Sequence, residues 1–163
     1  MSSEGSPVRR GSEPLDAAGL RVAIVVARFH GDVTERLLEG ALAALSEHGA
    51  SDEDIDVIRV PGAWELPQTA ARVVATNRYD AIVTLGCVIR GETPHFGYVC
   101  QEATRGLGTV ARKSNIPVLF GVLTTDDLAQ AEARAGDGAE NKGYETAIAA
   151  VEMVSVYRKL RVD

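Results

Sequence analysis

Residues 20–27 read Leu-Arg-Val-Ala-Ile-Val-Val-Ala, an apolar, mostly β-branched run interrupted only by Arg21. A strand with one wet face would alternate apolar and polar side chains. This run instead fits a strand covered on both faces. Similar runs recur at 55–60 (IDVIRV), 81–85 (AIVTL) and 117–123 (PVLFGVL). Between them the apolar period lengthens to that of a helix. Leu38, Leu42 and Leu45 mark a helix over 34–48 that stops at Gly49. Further helices are predicted over 65–76, 95–113, 126–135 and 142–160, the last with Ile148, Val151 and Ser155 on one face. Strands alternating with helices give βαβ units, hence an α/β fold with a parallel sheet and helices on both faces. Right-handed crossovers then bring every strand C-terminus to one edge.

The chain has 163 residues, 45% hydrophobic and 25% charged. It reads as a flexible tail over 1–14, rich in Ser, Gly, Glu and Pro, and a single domain over 15–163. The start MSSEGSPVRRGSEP lacks the apolar stretch of a secretory signal. No apolar run approaches the roughly 18 residues of a membrane span, so no membrane role is expected. The net charge of -6 argues against a nucleic-acid surface. Only Cys87 and Cys100 occur, outside any C-x-x-C pattern. That usage suits a reducing, cytoplasmic setting. Three histidines without metal-ligand spacing give no expectation of a metal site.

In open α/β sheets ligands bind beyond the carboxyl ends of the strands. The segments there hold Arg28-Phe29-His30-Gly31, Pro61-Gly62-Ala63-Trp64-Glu65, the run from Gly86 to Phe96 read as a loop from its start, and Phe120-Gly121. The chain has only three Phe, four Tyr and one Trp, yet Phe29, Trp64, Phe96 and Phe120 all fall in these places. Aromatic rings beside glycines suit a flat ligand ring approached by backbone amides. In Gly91-Glu92-Thr93-Pro94-His95 the pattern places Thr93 as N-cap and Pro94 as first helical residue. Such a helix start offers free N–H groups and a positive dipole end to a phosphate.

These segments, with Arg134-Ala135-Gly136 and Asn141-Lys142-Gly143, resemble the 6,7-dimethyl-8-ribityllumazine synthases in order and spacing over residues 20–160. The resemblance implies a flavodoxin-like three-layer αβα sandwich with a four-stranded parallel core sheet. It implies a transferase of riboflavin biosynthesis that condenses 5-amino-6-(D-ribitylamino)uracil with 3,4-dihydroxy-2-butanone 4-phosphate, without metal or organic cofactor. Carried over, Phe29 would stack on the pyrimidine. Ala63, Trp64 and Glu65 would hold the ribityl chain, and backbone groups of Val88 and Ile89 would read the pyrimidine edge. Gly91, Glu92 and Thr93 would cradle the phosphate, and His95 would shuttle protons. From an adjacent subunit, Phe120 would close over the ring and Arg134 would pair with the phosphate; Lys142 would lie near the phosphorylated substrate. Two positions depart from the pattern. Trp64 is bulkier than expected between Ala63 and Glu65, and Gly97 stands where the family often has an acidic residue.

The resemblance further implies a homopentamer with sites between subunits, a sixty-subunit icosahedral shell as the larger assembly, and riboflavin synthase as a protein partner. The short linker Asp137-Gly138-Ala139-Glu140 inclines the expectation toward a shell. Two other readings are a module that binds riboflavin or a lumazine without catalysis, and a mainly structural shell protein. His95 and Arg134 disfavour both, because stacking a ring requires neither.

Overall fold

The computed structural model describes residues 14–161. The tail expected over 1–14 therefore lies, except for Pro14, outside the described residues. Strands β1 (Val22–Ala27), β2 (Ile55–Val60), β3 (Ala81–Ile89) and β4 (Val118–Thr125) form one parallel sheet in the order β2-β1-β3-β4. Helices α1 (Gly31–Glu47), α2 (Leu66–Ala75), α3 (His95–Lys113), α4 (Leu128–Arg134) and α5 (Lys142–Leu160) connect and follow the strands. This is the flavodoxin-like α/β arrangement.

The doubly covered character of β1 explains the layers. Val22, Ile24 and Val26 pack with α1, α4 and α5, whereas Ala23, Val25 and Ala27 pack with α2 and α3. Successive side chains of a strand point to opposite faces, so an apolar residue at every position demands helices on both sides. Burying one large side chain such as Leu37, Leu45 or Leu66 stabilises the fold by about 1.5–3 kcal/mol. The α1–α5 contact depends on Gly143, where a β-carbon would overlap the Leu37 carbonyl.

Three local expectations are corrected. Helix α1 begins at Gly31 rather than at residue 34, because His30 turns the chain through the left-handed region (φ 58°, ψ 50°) directly after β1. Strand β3 continues through Ile89; the segment from Gly86 to Ile89, read as loop, pairs with residues 122–125 of β4. A glycine and a cysteine are poor strand signals, and the partner strand decides. Helix α3 has the expected bounds, but its cap is not Thr93. Pro94 occupies the cap position and its carbonyl accepts the Gly97 N–H at 3.0 Å, so the α-helix proper begins at His95. Among the described residues no helix is long and apolar enough to cross a membrane.

Candidate active site

The strand order reverses between β1 and β3, since β1 is followed by β2 on one side while β3 lies on the other. That switch point is where an open α/β sheet leaves a crevice. It is widened here because β1 pairs with β3 only as far as Val26↔Leu85, while β3 runs on to Ile89. A cleft of about 580 Å³ opens at this place. Phe29 and His30 after β1, Gly62 to Glu65 after β2, and Cys87, Val88 and Ile89 of β3 form its walls. Gly91, Thr93, His95, Phe96 and Val99 complete it from the start of α3.

The overrun gives β3 a free backbone edge. Ile82 donates its N–H to Pro117 and Arg90 donates its own to Thr125, so even-numbered residues turn their backbone toward β4. Alternation then turns the peptide groups of Cys87 and Ile89 to the side where β1 has ended. Ile89 thus offers backbone hydrogen bonds to the cleft, whereas Val88 contributes its side chain and directs its backbone to β4.

The aromatic walls are open to solvent, Phe29 by 64% and Trp64 by 50%. Glu65 follows Trp64 in a 3₁₀ turn over Ala63–Glu65, and its Oε2 accepts the Gly62 N–H at 3.1 Å. One carboxylate oxygen is thereby committed to holding the loop, which fixes the direction of the other. The Thr93 hydroxyl accepts the His95 N–H at a long 3.4 Å, and the ring of His95 makes no hydrogen bond among the described residues. Arg90 straps the loop from outside. Its Nε donates to Asp126 at 2.9 Å and its guanidinium lies 4.5 Å from the centre of the Phe96 ring. Burial pushes the Cys87 thiol up to about 11, so at neutral pH it is an uncharged, apolar part of the wall. No group of three His, Cys, Asp or Glu among the described residues could hold a metal ion.

A second surface holds the remaining candidates. Arg134 and Lys142 line a hollow of about 320 Å³ together with Glu140 and Glu145. Lys142 lies 3.9 Å from Glu145, and Arg134 donates from Nη1 to the Gln130 carbonyl at 2.9 Å. Phe120, 39% exposed on edge strand β4, lines an adjoining hollow with Lys142. Among the described residues none lines both the cleft and either hollow.

Residues 19–158 match the family described as 6,7-dimethyl-8-ribityllumazine synthase. The chain belongs to that family. It is therefore an enzyme of the lumazine synthase type, in riboflavin biosynthesis. Of the residues that the family resemblance singles out, the fold brings Phe29, Ala63, Trp64, Glu65, Val88, Ile89, Gly91, Thr93 and His95 to one cleft. Glu92 is exposed and does not line it; Phe120, Arg134 and Lys142 stand apart within one chain. Phe96, counted among the strand-edge aromatics in the sequence, lines the cleft too, as do His30, Cys87 and Val99, to which the sequence assigned no role. For His30 the signal was its place directly after β1; for Val99, its position one helical turn after His95.

Proposed function

We propose that this chain condenses 5-amino-6-(D-ribitylamino)uracil with 3,4-dihydroxy-2-butanone 4-phosphate to 6,7-dimethyl-8-ribityllumazine, releasing phosphate and water. The observation that carries this reading is the convergence of three family segments, centred on Phe29, Ala63-Trp64-Glu65 and Gly91 to His95, on one cleft at the switch point of the sheet.

The chemistry suits these groups. The 5-amino nitrogen attacks the ketone carbon, and loss of a first water gives an imine. The C–O bond to phosphate then breaks and phosphate leaves with its electron pair. After tautomerisation the ribityl-bearing nitrogen closes the ring onto the remaining carbonyl, with loss of a second water. Each stage moves a proton, and an imidazole, with one nitrogen that donates and one that accepts, serves that need; we assign it to His95, which lines the cleft. Phe29 supplies a flat face for the pyrimidine, and Ile89 a backbone edge for its polar rim. Glu65 accepts hydrogen bonds from ribityl hydroxyls. Gly91 and Thr93 receive the phosphate beside the N-terminus of α3, with Glu92 contributing its backbone N–H. Alignment of two intrinsically reactive partners accounts for much of the acceleration.

On this reading the site is completed by a neighbouring subunit of a homopentamer, through Phe120, Arg134 and Lys142. Support comes from the exposure of Phe29, Trp64 and Phe120, and from the separation of the cation hollow from the cleft in one chain. Arg134 gives a planar, permanently charged partner for the departing phosphate. The test is direct: the purified protein is mixed with both substrates and lumazine absorbance is followed. Formation of the lumazine faster than in a protein-free control is expected; identical rates would refute the reading.

A further inference from the structure

Arg134 and Lys142 come from different elements, the last residue of α4 and the first of α5, with residues 135–141 between them. They nevertheless face one hollow. A single side chain joins the two ends of that connection. Asn141 is 3% exposed. Its Nδ2 donates to the Gly136 carbonyl at 2.8 Å and to the Arg36 carbonyl of α1 at 3.1 Å. Its Oδ1 accepts the N–H groups of Gly143 at 2.8 Å and Tyr144 at 3.1 Å. Both donors and both acceptor sites of the carboxamide are used. Gly40 makes room for it, since a β-carbon there would overlap the Asn141 carboxamide.

We propose that Asn141 is a positioning residue for phosphate capture. It ties the chain just after Arg134 to the first turn of the helix that Lys142 begins, and anchors both on α1. The spacing of the two cations is thereby held. The proposal rests on the phosphate role assigned to Arg134 and Lys142 above. No other residue type makes this set of bonds at this length. Aspartate keeps the helix cap but turns carboxylate oxygens on the Gly136 and Arg36 carbonyls. Serine keeps a cap and loses the clamp. In either variant α5 still starts at the same place, while the Arg134 end of the connection is released.

The experiment uses the full chain and its Asn141→Asp and Asn141→Ser variants. Binding of inorganic phosphate is measured by titration calorimetry, and KM is measured for each substrate. Phosphate affinity is expected to fall by about tenfold, which corresponds to about 1.4 kcal/mol. KM for the phosphorylated ketone should rise similarly, with KM for the pyrimidine within about twofold. A lowered melting temperature with unchanged phosphate affinity and unchanged KM values would overturn the proposal, because a purely structural cap predicts that pattern. Should these variants fail to fold, Gly40→Ala crowds the same carboxamide from α1, and unchanged phosphate affinity there would overturn it equally. Wild-type protein that binds phosphate but forms no lumazine would refute the functional reading, while the phosphate measurements would still decide the role of Asn141. Wild-type protein that binds no phosphate would overturn the proposal itself.

Discussion

The Phe29 ring lies so close to Gly62 that a β-carbon at position 62 would stand 2.5 Å from its Cδ2 and 2.9 Å from its Cε2. Gly62 has an extended backbone (φ -152°), which any residue adopts, so the ring and not the dihedral explains the glycine. Gly62→Ala should therefore move the ring without straining the chain. A loss of pyrimidine affinity by about tenfold is expected, with little change in melting temperature. Fluorescence titration with the pyrimidine substrate checks it; unaltered affinity would show that the ring is not part of the binding surface.

His95 begins α3, and its imidazole makes no hydrogen bond among the described residues. Since proton transfer by a positioned side chain contributes typically about a hundredfold or more, His95→Ala should lower kcat by at least that factor. Pyrimidine binding, assigned above to Phe29 and the β3 edge, should remain nearly intact. Steady-state kinetics with an unchanged kcat would remove His95 from the chemistry.

Much of the fold and of the cleft's lining is legible in the sequence, and the illegible parts share a cause. The strands were readable because Val, Ile and Leu crowd a sheet buried on both faces, and apolar spacing marked the helices, with Gly49 just past the end of the first. What misled was local chemistry that tertiary contact overrules. Gly86 and Cys87 look like loop, yet pairing with Val122 and Leu123 extends β3 and creates the free edge at Ile89. Likewise Thr93 looks like an N-cap, but Pro94 takes that place. Spacing alone did not bring Arg134 and Lys142 together, although the family resemblance put both near one phosphate; the connection between them carries a buried amide that bonds across 105 positions to Arg36.

Thr34 offers a test of the core. It is fully buried on α1, and its hydroxyl has no hydrogen-bond partner among the described residues. A desolvated, unpaired hydroxyl is costly, whereas a methyl of the same shape is not. Thr34→Val should raise stability by about 1 kcal/mol in denaturant unfolding. A destabilised variant would mean that the hydroxyl is satisfied after all.

Cys87 makes a pH prediction. Burial raises its thiol from an ordinary 9.0 to about 11, because the folded cleft wall disfavours the thiolate. A raised pKa means that the unfolded chain loses its proton first. The contribution to stability is thus fully present below pH 9 and is lost as pH climbs toward 11. The difference in unfolding free energy between wild type and Cys87→Ala, followed from pH 8 to 11, should shrink across that window. A difference independent of pH would place the thiol in a wetter environment. At neutral pH Cys87 should also react slowly with thiol reagents until the protein unfolds.

The last prediction concerns the separation of Phe29 from Arg134. Within one chain they line different surfaces, so a site needing both must draw them from two subunits. On the proposed reading, each interface of a ring with heterologous contacts would pair the cleft of one copy with the cation hollow of the next. Phe29→Ala and Arg134→Ala variants should each be nearly inactive alone. In randomly mixed rings of equal parts, about a quarter of the interfaces join an intact cleft to an intact hollow. Activity near that fraction of wild type is expected after the two variants are unfolded together and reassembled. Native mass spectrometry would establish that mixed rings have formed. If such rings stay as inactive as the separate variants, then Phe29 and Arg134 do not meet across the interface, and the shared site is wrong even if the cleft itself binds pyrimidine.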